Sequence, residues 1–169
     1  MSVETHGDGT LSSPGARVLG AHPLPPGARV AVVVSRYHSH VTQRLLDGAL
    51  AAARARGVEV DVVPAPGAFE LGVLSLEAAR TGRYVGVAAL GCVIRGDTTH
   101  YDYVCTASAD GVLHAALETG VPVAFGVVTT ETPEQAFARA GGTAGNKGAE
   151  AVETALDTAA ALAAIRAAD

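Results

Sequence analysis

"VAVVVS", residues 30–35, is the stretch that decides the fold class of this 169-residue chain. Five small or β-branched apolar residues run without a break up to Ser35. A strand with one face in water alternates apolar and polar residues, whereas a strand covered on both faces reads as one apolar run. The stretch therefore predicts a buried strand inside a parallel sheet.

Strand and helix patterns alternate along the rest of the chain. Further strands are predicted over 58–63, 84–91 and 121–129, and helices over about 41–56, 68–81, 101–119, 133–140 and 146–167. Pro133 suits the first turn of its helix, which Thr132 would cap. Because strands that alternate with helices pair in parallel through right-handed crossovers, the expected architecture is a three-layer α/β/α sandwich. Its mainly parallel four-stranded sheet would be flavodoxin-like.

The first 28 residues differ from the rest in composition. They are rich in Gly, Ser, Thr and Pro and contain no aromatic residue. We expect a flexible N-terminal extension over 1–28, disordered over 1–16, in which residues 17–21 could add an edge strand. The folded domain is expected over 29–169, a length that suits one domain.

Charge and cysteine content narrow the functional classes. The net charge is −5 and no basic run occurs, which argues against nucleic acid as a partner. No apolar run approaches the roughly 20 residues that span a bilayer. Cys92 and Cys105 lack zinc-site spacing, so no metal site is expected. Without a signal peptide, a cytoplasmic location is the simplest expectation.

Polar and aromatic residues follow the carboxyl ends of the predicted strands, where ligands of such sheets bind. The segments are "SRYHSH" (35–40), "PAPGAFE" (64–70), "GCVIRGDTTH" (91–100) and "TTETPEQAFARAG" (129–141). Tyr37, Phe69 and Tyr101 come just after strand ends, and Phe125 lies inside the fourth strand. This placement of the few rings predicts a planar ligand that stacks.

Several of these residues have both a chemical and a plain structural interpretation. The turn Gly96–Asp97–Thr98 could hold an anion at a helix N-terminus, or it could be an ordinary capping turn. His100 could transfer protons near neutral pH, or be a surface histidine. Glu70 could accept hydrogen bonds from sugar-like hydroxyls, or only complement a helix dipole.

Two basic residues and the two cysteines also have both a chemical and a plain structural interpretation. Arg139 and Lys147 bracket the Gly-rich turn "AGGTAGN" and could hold a phosphate and a polar ring, or be solvated charges at helix ends. The two cysteines fit small packed side chains better than nucleophiles. Arg95 has no role that the sequence explains, beyond bracing the loop or a subunit contact.

Four ordered blocks resemble the lumazine synthase (6,7-dimethyl-8-ribityllumazine synthase) family over roughly residues 28–166. They are "PGAFELG" (66–72), "LGCVIRGDTTHYDYVC" (90–105), "GVPVAFGVVTTETPEQAFARAG" (120–141) and "AGNKGAEA" (144–151). The resemblance implies a transferase of riboflavin biosynthesis. It would condense 5-amino-6-(D-ribitylamino)uracil with 3,4-dihydroxy-2-butanone 4-phosphate, without metal or organic cofactor. A non-catalytic flavin or lumazine binder with the same pocket is the alternative.

The resemblance also implies a role for individual residues. His100 would transfer protons, Tyr37 would stack on the pyrimidine, and His38 stands where the family often has Asn. The remaining expected contacts are Ala68, Phe69 and Glu70 with the ribityl chain; Cys92, Val93 and Ile94 with the pyrimidine edge; Asp97 and Thr98 with phosphate; and Phe125, Arg139 and Lys147 supplied by the neighbouring subunit. Members assemble as pentamers, decamers or sixty-subunit shells, and riboflavin synthase is a candidate partner.

Overall fold

The opening apolar run forms strand β1, Arg29–Ser35, in the interior of a four-stranded parallel sheet. The structure is a computed structural model that describes residues 14–168. The strands lie in the order β2 (Glu59–Ala65), β1, β3 (Gly86–Ile94) and β4 (Val123–Thr130), and every neighbouring pair is parallel. The predicted parallel sheet is therefore confirmed.

Five helices in residues 14–168 cover this sheet on both faces. They are α1 (Ser39–Ala55), α2 (Leu71–Arg80), α3 (His100–Thr119), α4 (Pro133–Arg139) and α5 (Lys147–Ala167). One apolar core joins the sheet to α1 and α5, and the other joins it to α2 and α3. The three-layer α/β/α sandwich is confirmed, and the hydroxyl of Thr132 caps α4 by accepting from the backbone N–H of Gln135.

Successive residues of β1 pack alternately into the two apolar cores. Val30 and Val32 pack toward α1 and α5, whereas Ala31 and Val33 pack toward α2 and α3. All four are fully buried. A strand whose two faces are both dry has no place for a polar residue, which is the physical reason for its unbroken apolar run.

A small antiparallel hairpin replaces part of the predicted turn between the last two helices. Strands β5 (Ala140–Gly142) and β6 (Gly145–Asn146) pair with each other there. Gly141 and Gly145 have φ angles of 95° and 78°, which favour glycine. Sequence patterns missed the hairpin because its strands are too short to show periodicity.

The edge strand considered for residues 17–21 does not form within the described chain. The connector after it contains Pro23, Pro25 and Pro26, which lack the N–H donor that strand pairing needs. The backbone N–H of His22 instead donates to the carbonyl of Ala160 in α5, at 3.2 Å. Residues 1–13 of the predicted disordered tail lie outside the described residues.

Within residues 14–168, no helix combines the length and the apolar character needed to cross a bilayer.

Candidate active site

A cleft of about 630 Å³ opens at the carboxyl ends of β1, β2 and β3. Its lining consists of Tyr37, His38, Gly67, Ala68, Phe69, Glu70, Cys92, Val93, Ile94, Gly96, Thr98, His100, Tyr101 and Val104. Most of the sequence-predicted site residues therefore meet in one place. The exceptions are Asp97, Phe125, Arg139 and Lys147, which do not line this cleft.

The rim after β1 carries an exposed ring and a strained residue. Tyr37 is 67% exposed, although it is a large aromatic side chain. His38 has φ 53°, the one positive φ outside glycine among residues 14–168. Such a conformation costs on the order of 1–3 kcal/mol and is concentrated at functional sites. The two rings meet edge to face with centroids 4.7 Å apart, so they are in direct contact at the rim of the cleft.

Burial lowers the pKa of His38, and the nearby imidazole of His40 lowers it further. Both effects disfavour the charged imidazolium. His38 therefore presents a neutral ring to the cleft at neutral pH, suited to hydrogen bonding and not to charge pairing.

The wall after β2 is formed by the turn that starts α2. Phe69 is 59% exposed, so a second ring faces solvent at the cleft. Glu70 is the N-cap residue of α2, but its side chain makes no capping hydrogen bond. A methyl group on Gly67 would lie 3.1 Å from Oε2 of Glu70, so the carboxylate reaches back over Gly67. It is available to accept hydrogen bonds from a ligand.

Strand β3 continues beyond the end of its neighbour β1, and this exposes the backbone of β3 to the cleft. Its pairing with β1 stops where Val34 meets Leu90. Pairing with β4 continues to Ile94, which lies opposite Thr130. One edge of residues 92–94 therefore has no neighbouring strand among the described residues. Its N–H and C=O groups can bind a ligand that carries its own donors and acceptors, as a strand would.

The thiol of Cys92 lines the cleft as an apolar group and has little reactivity. The residue is 2% exposed, and burial raises the pKa of its thiol to about 11. Since the thiolate is the nucleophilic form, Cys92 is inert near neutral pH. The expectation that it packs as a small apolar residue agrees with this environment.

The start of α3 is open on the cleft side. Thr99 is the N-cap residue, with helical φ and ψ angles and no capping hydrogen bond from its side chain. The hydroxyl of Thr98 accepts only a long hydrogen bond, 3.4 Å, from the backbone N–H of His100. Helix N-termini with unfilled N–H groups bind anions. His100 and Thr98 both line the cleft beside these groups.

The remaining sequence-predicted residues are held elsewhere in the chain. Phe125 is 45% exposed on β4. The guanidinium of Arg139 donates to the carbonyl of Gln135 at 3.1 Å, and Lys147 pairs with Glu150 at 2.5 Å. None of these three residues lines the cleft of its own chain.

Four lining residues were given no substrate contact from the sequence: Gly67, Gly96, Tyr101 and Val104. Gly96 was nevertheless part of the turn that could hold an anion. Tyr101 carried a usable signal, because it is one of the few rings just past a strand end. Val104 lies one helical turn farther along and cannot be told from an ordinary core position by spacing alone. Among the described residues, no three His, Cys, Asp or Glu side chains lie close enough together to hold a metal ion.

Comparison with known protein families gives one match over most of the chain. Residues 27–163 match the family model described as 6,7-dimethyl-8-ribityllumazine synthase. The match spans all four strands of the main sheet and every residue of the cleft lining.

Proposed function

The chain belongs to the 6,7-dimethyl-8-ribityllumazine synthase family, and we propose that it condenses 5-amino-6-(D-ribitylamino)uracil with 3,4-dihydroxy-2-butanone 4-phosphate. The products would be 6,7-dimethyl-8-ribityllumazine, phosphate and water. Family membership supports an enzyme of riboflavin biosynthesis. The particular substrates and the residue roles below are parts of the proposal.

The unpaired edge of β3 is the observation that carries the proposal. A pyrimidine edge alternates donors and acceptors, as the backbone of residues 92–94 does. The exposed rings of Tyr37 and Phe69 stand on the other sides of the same cleft. Stacking and edge bonding together would select a planar heterocycle, and the carboxylate of Glu70 would accept from the hydroxyls of the ribityl chain.

The open start of α3 suits the phosphorylated substrate. Backbone N–H groups over residues 97–99 and the positive end of the helix dipole would bind its phosphate. Asp97 would take part through its backbone alone, because its carboxylate would repel the phosphate. Thr98 lines the cleft and adds a hydroxyl donor.

Proton transfer is the chemistry that the reaction demands of the protein. The pyrimidine amine attacks the ketone, and loss of water gives an imine. Phosphate is then eliminated, and attack by the ribitylamino nitrogen closes the ring with loss of a second water. Each step moves protons between nitrogen, carbon and oxygen, and the imidazole of His100 lines the cleft, where it could accept and donate them. Holding two substrates together would supply much of the remaining acceleration.

The cleft lacks a cation within the described lining, although one substrate is a phosphate ester. The guanidinium of Arg139 donates to the backbone carbonyl of Gln135, which leaves most of its five N–H donors available. We therefore propose that a neighbouring copy supplies Arg139, with Phe125 and Lys147, to complete the site. The assembly would be a pentamer or a sixty-subunit shell of pentamers, and light scattering would give its size.

Mixing both substrates with the purified chain and following lumazine absorbance and fluorescence tests the proposal. We expect product to form in proportion to enzyme and inorganic phosphate to appear with it. Ligand binding without turnover would instead identify a non-catalytic binder. A complex with riboflavin synthase and a cytoplasmic location remain predictions from the sequence.

A further inference from the structure

Arg95, which the sequence left without a role, is fixed at the junction of three elements. It directly follows β3, and its backbone N–H donates to the carbonyl of Thr130 at 2.9 Å. This bond continues the pairing of β3 with β4 by one step. The starting point of the Arg95 side chain is therefore set by the sheet and not by a loose loop.

The guanidinium of Arg95 contacts the segment just after β4 with one edge, and α3 with another edge and one face. Nε donates to the carboxylate of Glu131, just after β4, at 3.0 Å. One terminal nitrogen donates to Asp102 in the first turn of α3, at 3.2 Å. The central carbon lies 4.1 Å from the ring centroid of Tyr101, within the range of a cation–π contact. The two carboxylates raise the pKa of Arg95, Glu131 having the larger effect.

Tyr101 connects this arrangement to the cleft. Its ring lines the cleft on the side of α3, next to His100. Burial raises the pKa of the Tyr101 hydroxyl, so the ring stays neutral and offers its face to the guanidinium. Movement of Arg95 would therefore change the position of a cleft wall.

The start of α3 has no capping side chain at Thr99 to hold it. A capping hydroxyl would fix the helix start, but it would also occupy an N–H group that the ligand needs. Arg95 holds the same turn from outside, through Asp102 and Tyr101. The N–H of His100 donates to the hydroxyl of Thr98, and the N–H groups of residues 97–99 stay available to a ligand. Exposed ion pairs of this kind contribute little to overall stability.

We propose that Arg95 is a positioning residue: by clamping Asp102, Glu131 and Tyr101, it fixes the first turn of α3 against the sheet, so that His100 and the phosphate-binding turn keep their places in the cleft. The kinetic consequence of this proposal rests on the proposed function. Its structural consequence can be measured without any substrate.

Steady-state kinetics of Arg95→Gln and Arg95→Lys test the kinetic consequence. We expect Arg95→Gln to lower kcat and raise KM for the phosphorylated substrate, reducing kcat/KM roughly tenfold to a hundredfold. KM for the pyrimidine should stay within about twofold, since the β3 edge and Tyr37 hold it elsewhere. Arg95→Lys should recover part of the loss, because it keeps the charge but not the planar fork.

Arg80→Gln is the matched control. Arg80 also pairs with a glutamate, Glu118, but at the opposite end of α2 and α3. We expect its kinetics to match those of the unmodified protein. Kinetic constants for Arg95→Gln within twofold of the unmodified protein, or an equal loss in the Arg80 variant, would overturn the proposal.

Hydrogen–deuterium exchange gives a readout independent of catalysis. Arg95→Gln should speed exchange in peptides covering residues 96–104, and leave exchange in α2 and the melting temperature unchanged. Unchanged exchange over 96–104 would overturn the clamp. An unmodified chain that forms no lumazine would refute the proposed function, while the exchange experiment would still decide whether the clamp exists.

Discussion

Gly72 of α2 and Gly111 of α3 are in direct backbone contact. A Cβ atom on Gly72 would lie 2.8 Å from the Cα of Gly111, and a Cβ on Gly111 would lie 3.0 Å from the Cα of Gly72. Neither residue has a positive φ, so lack of space and not backbone strain requires glycine here. The contact sets the spacing of the two helices whose N-terminal ends carry Glu70, the N-cap residue of α2, and His100, the first residue of α3.

Substituting Gly72→Ala should lower the free energy of unfolding by about 1–3 kcal/mol, because α2 and α3 must separate to admit the methyl group. The higher helix propensity of alanine offsets part of this cost. Denaturant unfolding measures the change. Gly20→Ala is the control, since its Cβ would have nothing within 4 Å. Equal stability of both variants with the unmodified protein would contradict the close contact.

Replacing His100 with alanine should lower kcat roughly a hundredfold and change both KM values little. The proton carrier would be lost, while the groups proposed to bind substrate would remain. His114 provides a matched control on the same helix: it pairs with Glu118 and does not line the cleft. His114→Ala should keep full activity. Unchanged kcat in His100→Ala would remove His100 from the proposed mechanism.

Arg139→Ala should raise KM for the phosphorylated substrate at least about tenfold, because a charge-assisted contact to phosphate is lost. Coexpressing this variant with His100→Ala tests whether neighbouring copies share a site. In a randomly mixed ring, about a quarter of the sites would combine a subunit that keeps His100 with a neighbour that keeps Arg139, and these sites would be active. Coexpressing His100→Ala with Tyr37→Ala should restore none, because both side chains belong to the same cleft. An absence of recovery in the first mixture would place Arg139 outside a shared site.

The raised pKa of Cys92 predicts a specific pH dependence of stability. Between about pH 9 and pH 11 the unfolded chain releases the thiol proton and the folded protein retains it. The free energy of unfolding should therefore fall as pH rises through this window, with a contribution from Cys92 of up to about 1.4 kcal/mol per pH unit. Cys92→Ala should show a correspondingly flatter decline in denaturant unfolding. Cys105 is present in both proteins and cancels in the comparison. Parallel declines would refute the buried-thiol environment.

The main sheet could be predicted because strands buried between helices are rich in apolar residues. Continuous apolar runs predicted β1, β3 and β4, and the alternating stretch VEVDVV (58–63) predicted the edge strand β2. The rule that ligands bind at the carboxyl ends of parallel strands predicted that Tyr37, Phe69 and His100 lie at one cleft, and all three line it. The capping role of Thr132 followed from its position before Pro133 and is confirmed.

Features that depend on contacts distant in sequence were not predictable in this way. Arg95 looks like an ordinary exposed charge until Glu131 and Asp102 are seen on either side of it. The open edge of β3 depends on where β1 stops, which is a property of register and not of either strand alone. The residues 140–146 hairpin is too short to have a period.

The uneven placement of the rings gives this protein an optical property. There is no tryptophan in the chain, and two of the four tyrosines, Tyr37 and Tyr101, line the cleft. Tyr84 sits away from it, with its hydroxyl donating to Asp61 at 2.9 Å. Half of the tyrosine rings therefore stand at the cleft, and a stacked heterocycle would quench their emission. Occupancy can be titrated by fluorescence without attaching a dye.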